Sequence, residues 1–485
     1  MADYTSVNKQ FINGKWTEGN DKMRITDLNP FNDEEILSLA GASIEDVDDA
    51  FTAAKASTQA WANSNPLFRR DILLRAASIL NERKEEFIKW LSIEVGSPYL
   101  KGAIEVQQAH DILVEASSFA TRMHGYTFSS TTDGKQSYVF RKPVGVVSLI
   151  SPWNFPLYLS MRTIAPALGT GNAVVVKPAS QSLVTGGTLI AKLLEEAGLP
   201  PGVFNVIVGR SEFIGDHFTA HPDSKLISFT GSTAVGSRIG RIAGDKIKKA
   251  ALELGGNNPF IVLEDADINK VVDAAIFGRF LYQGQLCISV NRILVHTKLY
   301  EEFKTKFVQR ARSLVHGNPT APQTVIGPLI DKHALTRILG VIDQSIRAGA
   351  ILETGNVTEK NILLPTVLSN VNLSMRIFTE EIFGPAVGLV PFSTDEEAVT
   401  LANATGYGLS GAVHTRDLYR GMQLARKIDT GMIHVNDQSA NDEVHTPFGG
   451  EKYSGIGRFG GEFIMEEMTT LQWVSVQESP REYPF

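Results

Sequence analysis

One cysteine occurs in 485 residues, Cys287, inside the stretch "FLYQGQLCISVNR". A free cysteine is most often a small buried hydrophobe, and chemistry is the better reading only where partner groups exist. Three polar residues in strand-end contexts supply candidates. Glu253 closes a strand-like run in "LELGGNNP", Asn154 follows "VGVVSLI" within "SPWNFP", and Lys177 follows "AVVV". A thiol with a pKa near about 8.5 is only a few per cent thiolate at neutral pH, so a nucleophilic cysteine needs help. A carboxylate could take its proton or later activate water. An asparagine amide beside a backbone N–H could hold a developing oxyanion. Each residue also has a plain reading: Asn154 as a turn residue, Glu253 as a solvated strand end, Lys177 as a surface charge.

Several other patterns imitate functional motifs. Gly455-Ile456-Gly457-Arg458-Phe459-Gly460 matches GxGxxG, but it follows the loop-like "PFGGEKYSG" and no strand, so it lacks the strand–turn–helix context that binds phosphate. "GSTAVGSR", from Gly231, lacks the lysine of a Walker loop. It does follow the strand-like "KLISF" and precede a helix-like segment. Gly231 and Gly236 there could turn backbone N–H groups and a helix N-terminus toward a pyrophosphate, or simply make a tight turn. His217 and His221 have the i, i+4 spacing of metal ligands, yet no HExxH motif accompanies them and Pro222 follows. They read as surface residues, and no metal site is expected. No GxSxG nucleophile elbow is present.

The elements that must position these groups alternate. Strand-like runs "VGVVSLI", "NAVVVK", "VFNVIV", "KLISF" and "KAALEL" are separated by helix-like segments. A second series runs through "PFIVLE", "VNRILVH", "VGLVPF", "GAVHT" and "GMIHVN". The pattern predicts two doubly wound α/β units in tandem, with ligand groups at strand ends. A helical block is expected to come first, with one helix from the capping signal at Ser43–Asp46 to about Trp61. Helical spacing then runs from Leu67 to Val95, stopping at Gly96. Tyr126–Lys142 reads as a hairpin turning at Asp133-Gly134, and "TTLQWVSVQ" as a C-terminal strand. Both offer backbone edges exposed in a monomer.

Bulk properties exclude other classes. A chain of this length exceeds one core. Hydrophobic content of 43% and charged content of 20% are those of an ordinary globular protein. A net charge of -7 argues against nucleic-acid or anionic-membrane partners. One cysteine rules out an intrachain disulfide, and the N-terminus shows no apolar signal region, so a cytoplasmic location is expected.

Taken together and in order, "PWNFP", "VVKPAS", "FTGSTAVG", "LELGG", "QGQLC" and "EEIFGP" resemble the aldehyde dehydrogenase superfamily over essentially the whole chain. The resemblance implies an NAD(P)-dependent, non-acylating oxidation of an aldehyde to the acid. Cys287 would attack the carbonyl, and Asn154 with the Cys287 N–H would hold the oxyanion. Hydride would pass to NAD, with NADP possible, and Glu253 would activate water against the thioester. Cofactor contacts carried over are Trp153, Lys177, Ser180, Gly231, Ser232, Thr233, Ala234, Val235, Gly236, Glu381 and Phe383. The family's architecture assigns 1–120 with 144–253 to cofactor binding and 254–465 to catalysis. A small β oligomerisation domain, 121–143 with 466–485, would make a homodimer or homotetramer.

Two departures stand out. Phe459 occupies a position where some relatives carry a second glutamate, and Ser180 one where many NAD-preferring members carry a glutamate for the ribose hydroxyls. The chain is most similar to the benzaldehyde and vanillin dehydrogenase branch, which implies an aromatic aldehyde among Phe155, Tyr158, Arg162, Leu286, Ile288 and Phe448. Arg162 would meet a ring oxygen, or be an ordinary helix-surface charge. A semialdehyde or aliphatic aldehyde dehydrogenase, or a non-redox cysteine thioesterase or esterase, are the alternatives. The glutamate of "LELGG" favours water over coenzyme A as acyl acceptor.

Overall fold

The computed structural model describes residues 3–485. The first series of apolar runs forms the parallel centre of an eight-stranded sheet. Its parallel strands lie in the order Phe204–Val206, Ala173–Lys177, Val146–Ile150, Ser224–Thr230, Lys249–Glu253. Valine and isoleucine dominate them because helices cover both faces and leave no solvent side. The register aligns Ile150 with Lys177 and Phe229, and Thr230 with Glu253, so the polar groups emerge along one edge.

A four-residue link, Leu254 to Asn257, carries the chain into the second sheet at Asn258–Val262. That sheet has seven strands in the order Ile351–Thr354, Thr366–Ser369, Ala386–Phe392, Val290–His296, Asn258–Val262, Ala412–His414, His434–Val435. All pairings in it are parallel except the one made by Ile351–Thr354. Two apolar cores pack on it, while Phe448, Phe459, Ile464 and Met468 return to the core of the first sheet.

Four short strands, not helices, come first. Gln10–Ile12 and Lys15–Thr17 extend the first sheet, and Arg24–Leu28 pairs with Glu35–Ala40. The helix Ile44–Ala62 follows, closed by a complete Ser43/Asp46 capping box. The next helical stretch is two helices, Pro66–Glu82 and Lys84–Val95, broken at Arg83, and Gly96 ends the second at a left-handed φ of 65°.

The predicted hairpin and C-terminal strand pair with each other. Lys135–Pro143 holds Tyr126–Ser129 on one side and Thr469–Gln477 on the other, the latter over nine residue pairs. Tyr126, Phe128, Phe140, Leu471 and Trp473 of this sheet are exposed. No helix among the described residues is long and apolar enough to cross a membrane.

Candidate active site

Chemistry gathers where strand ends of the two sheets meet. Glu253 and Lys177 close strands of the first sheet, and Asn154 lies just beyond a third. Cys287 and Glu381 instead precede strands of the second sheet, at Val290 and Ala386. A search confined to C-terminal strand ends would therefore have missed both.

The cysteine loop is held in an unfavourable backbone shape. Tyr282, Gln283 and Gly284 all have positive φ, 51°, 43° and 73°. For the two non-glycine residues this is a strained state that surrounding bonds must impose. The Tyr282 hydroxyl donates to the Val95 carbonyl at 2.6 Å, and Gln283 Nε2 to the Pro328 carbonyl at 2.6 Å. Beyond the bend, Asn258 Nδ2 donates to the carbonyls of Cys287 and Ser289 at 2.8 and 2.7 Å. Gly256 is required beside it, because a Cβ there would stand 2.3 Å from the Cys287 carbonyl oxygen. Asn154 Nδ2 donates to the Gln285 carbonyl at 3.1 Å, which fixes the amide against this loop and leaves its second N–H to offer.

Cys287 is half-buried. Desolvation pushes its thiol up to about 12, the Glu381 charge adds to this, and the Arg162 guanidinium opposes it. Glu253 is only 2% exposed, and neither carboxylate oxygen has a hydrogen-bond partner among the described residues. Its burial raises the carboxyl to about 8, with Arg162 again the leading opposing charge. It is no solvated strand end. A carboxyl with no protein partner, electrostatically coupled to the thiol, is disposed to act on water or on the thiol proton.

Cys287 and Asn154 line a cavity of about 100 Å³ together with Phe155, Tyr158, Arg162, Leu286, Ile288 and Phe448. These six side chains, which the resemblance groups together, line one cavity in the structure. Arg162 is not a surface charge: it is 2% exposed, with its guanidinium 4.1 Å from the Phe448 ring centre and 4.8 Å from that of Phe459. Its Nη1 approaches Asp442 Oδ2 at 3.4 Å, while Nε and Nη2 have no partner among the described residues. Asp442 also accepts from the Tyr158 hydroxyl at 2.9 Å. Asp442 was missed by sequence reasoning. It sits in an aperiodic polar loop, and its only signal is that a buried arginine needs an acid.

A second group faces the same strand ends. Lys177 is buried, donates to Ser211 Oγ at 2.7 Å, and is lowered by desolvation to about 8. Glu381 Oε1 accepts from the Gly256 N–H at 3.0 Å, and burial raises its carboxyl to about 7. Phe383, at φ 50°, packs edge-on against Trp153 with ring centres 5.4 Å apart. Ser232 caps the helix Thr233–Asp245 through Val235 N at 3.5 Å, leaving Ala234 and Val235 exposed on its first turn. Thr233 Oγ1 donates to the Tyr453 carbonyl at 3.3 Å. Gly236 is needed where a Cβ would lie 2.2 Å from Leu254, and Gly231 opens the turn before the cap. Ser180 is exposed, and its hydroxyl donates to Oε1 of the neighbouring Gln181 at 3.2 Å. A buried ammonium, a half-buried carboxyl group and an open helix N-terminus beside exposed aliphatics fit a dinucleotide's hydroxyls, phosphates and base.

The histidine pair needs one correction. His221 is buried and stacks on Phe51 at 4.0 Å, and Asp48 Oδ1 takes the Nε2 of His217 and His221 at 2.6 and 3.3 Å. His221 Nδ1 accepts from the Asp223 N–H at 3.3 Å, which leaves Nε2 to face Asp48. The three side chains read as a bridge between two helices.

Known proteins resemble the chain over its length. The family model "Aldehyde dehydrogenase family" matches residues 16–474. A benzaldehyde dehydrogenase of Bacillus subtilis is 46% identical over 485 residues, covering 100% of both chains. The crystal structure of an NAD-dependent benzaldehyde dehydrogenase from Corynebacterium glutamicum has a TM-score of 0.90 at 42% identity, over 97% of this chain and 98% of that one. A salicylaldehyde dehydrogenase from Pseudomonas putida G7, complexed with salicylaldehyde, has a TM-score of 0.95 at 35% identity, over 98% and 99%. With its cysteine, glutamate and asparagine assembled from the ends of two sheets, the chain belongs to the aldehyde dehydrogenase family.

Proposed function

We propose that the protein oxidises aromatic aldehydes to carboxylic acids with NAD as oxidant. The carrying observation is the one cavity that Cys287 and Asn154 line together with Phe155, Tyr158, Phe448 and Arg162. Phe155, Tyr158 and Phe448 offer faces and edges to a ring, and Arg162 offers donors to a hydroxyl or methoxy oxygen on it. The relatives named for benzaldehyde and salicylaldehyde support this substrate class.

The Cys287 sulfur forms a bond to the aldehyde carbon while its proton leaves to a base, the role we give to Glu253, whose charge acts on the thiol. Asn154 and the Cys287 backbone N–H stabilise the resulting oxyanion. NAD, when bound, supplies the acceptor for the hydride that leaves that carbon. Lys177 and Glu381 would hold its ribose hydroxyls, the Gly231–Gly236 turn its phosphates, and Trp153 and Phe383 its nicotinamide end. Glu253, having passed the thiol proton to solvent, then takes a proton from water, whose oxygen bonds to the acyl carbon as the Cys287 sulfur leaves as thiolate and the acid is released. The apolar walls keep other water from the thioester until that step.

Ser180 leaves the adenosine ribose without a carboxylate to repel a 2′-phosphate, so NADP also serves. Residues 1–120 with 144–253 would bind cofactor, 254–465 would carry the cysteine, and 121–143 with 466–485 would join subunits into a dimer or tetramer through the outer edges and exposed aromatics of the three-stranded sheet. A lone cysteine suits the reducing cytoplasm, where we place the protein.

An aldehyde panel read by NADH absorbance tests the substrate class. Benzaldehyde and its hydroxylated or methoxylated forms should give higher kcat/KM than acetaldehyde or propanal. A clear preference for the short chains would reject the aromatic reading, and aldehyde-independent esterase turnover with no NADH would reject the redox one.

A further inference from the structure

Behind the cavity, the helix Tyr99–Ser117 buries an ion pair that none of these steps uses. The side chains of Lys101 and Glu105, one turn apart, are both 0% exposed and in direct contact. The free energy of such a pair is ambiguous, since apolar replacements of similar volume are often neutral or stabilising. Its neighbours are more telling than its strength.

Glu105 Oε1 accepts from the backbone N–H groups of Leu157 and Tyr158 at 2.8 and 3.2 Å. These are orphan donors at the start of the helix Pro156–Gly169, which has no side-chain cap of its own. Asn154 and Phe155 lie immediately before that helix. Glu105 is thus a tertiary cap that fixes the entry of the segment carrying the oxyanion amide.

Lys101 reaches the other way. Its Nζ stands 4.2 Å from the Phe155 ring centre and 4.3 Å from that of Tyr282. Tyr282 is the first of the left-handed residues in the cysteine loop, and its ring meets Phe155 edge-on at 6.0 Å. A buried cation between two aromatic faces attracts both. One pair therefore grips both walls of the site, Glu105 the Asn154 segment and Lys101 the loop that strain would otherwise relax.

We propose that Lys101 and Glu105 are positioning residues for acylation, locking the Cys287 loop against the Asn154 segment so that thiol and oxyanion donor address the same carbonyl. The proposal rests on the roles given above to Cys287 and Asn154. A Cys287→Ala enzyme that still formed NADH from aldehyde would fail that reading itself. The following comparison concerns only the clamp.

The double variant Lys101→Met/Glu105→Gln leaves no uncompensated buried charge and keeps an oxygen for the Leu157 and Tyr158 N–H groups. Leu113→Val, buried on the same helix away from the cavity, serves as a control for lost stability. The NADH burst reports acylation, the steady state deacylation, fluorescence titration NAD affinity, and iodoacetamide alkylation against pH the thiol itself. Misplacing reacting groups by about 1 Å costs on the order of 100-fold, so the double variant should lose roughly tenfold to 100-fold in burst rate. Its deacylation rate, NAD affinity and alkylation midpoint should stay within about twofold of wild type. Leu113→Val should keep the wild-type burst. If the double variant is insoluble, Glu105→Gln alone carries the test, with an expected burst loss of at least about fivefold. A burst within twofold of wild type, an equal loss in Leu113→Val, or an equal loss in every step would overturn the proposal.

Discussion

Glu253→Gln should make the protein more stable at alkaline pH while stalling it as a catalyst. The carboxyl rises from 4.5 to about 8 because both oxygens are buried without a hydrogen-bond partner among the described residues, and the charges of Arg162 and Arg458 oppose this. The unfolded chain ionises the group at its ordinary value, so the folded state binds the extra proton. That contribution is fully present below about pH 4.5 and is lost as pH rises through about 8. A span of this size corresponds to about 5 kcal/mol at full burial, a ceiling that entering water reduces. Glutamine has the same shape and no proton to lose. The unfolding midpoint of the variant should therefore match wild type near pH 4.5, exceed it progressively toward pH 8, and level off above. Denaturation in urea at pH 5, 7 and 9 isolates the effect, because every other titration is shared by the two proteins. In the same samples, wild-type deacylation should rise with pH toward a midpoint near 8, and the variant should give an NADH burst followed by slow turnover. A stability difference independent of pH would refute the burial argument. Wild-type turnover in the variant would refute the assigned role.

Removing the Arg162 side chain as Arg162→Ala should lower kcat/KM for vanillin more than for benzaldehyde, by roughly tenfold or more for a lost charged hydrogen bond, and equal losses would reject the ring-oxygen contact. Arg162 also opposes the raised thiol, so iodoacetamide should alkylate Cys287 of the free wild-type enzyme increasingly above pH 9, and more slowly in Arg162→Met. Ser180→Glu should lower activity with NADP selectively, and an unchanged NAD/NADP ratio would contradict the reading of that site.

The strands that carry the site were legible because strands buried on both faces leave continuous β-branched runs, as "AVVVK" and "VNRILVH" do. The C-terminal strand Thr469–Gln477 coincides with its sequence run. The first strands were invisible because Gln10–Ile12 and Lys15–Thr17 are three residues each, too short for any period. The break at Arg83 hid in an apolar spacing that both helices share. The hairpin and C-terminal strand were each readable, but their pairing joins residues more than 300 positions apart and leaves no local trace. In the site, residue types pointed to Cys287, Glu253 and Asn154, while burial decided what they are. Only the fold shows that Glu253 is buried with no hydrogen-bond partner among the described residues, that Arg162 is interior, and that Asp442 and the Lys101–Glu105 pair stand around the cavity.

Aldehyde oxidation by this chemistry requires a covalent bond to one sulfur. Glu253→Gln enzyme mixed with NAD and benzaldehyde, quenched during the burst and digested, allows that bond to be located by mass spectrometry. Because Cys287 is the sole cysteine, a thioester on this chain has one place to form. A benzoyl adduct should appear on the peptide bearing Cys287, near one per active subunit and matching the NADH burst, with no adduct when NAD is omitted. An NADH burst with Cys287 unmodified, or an adduct on another residue, would contradict this chemistry.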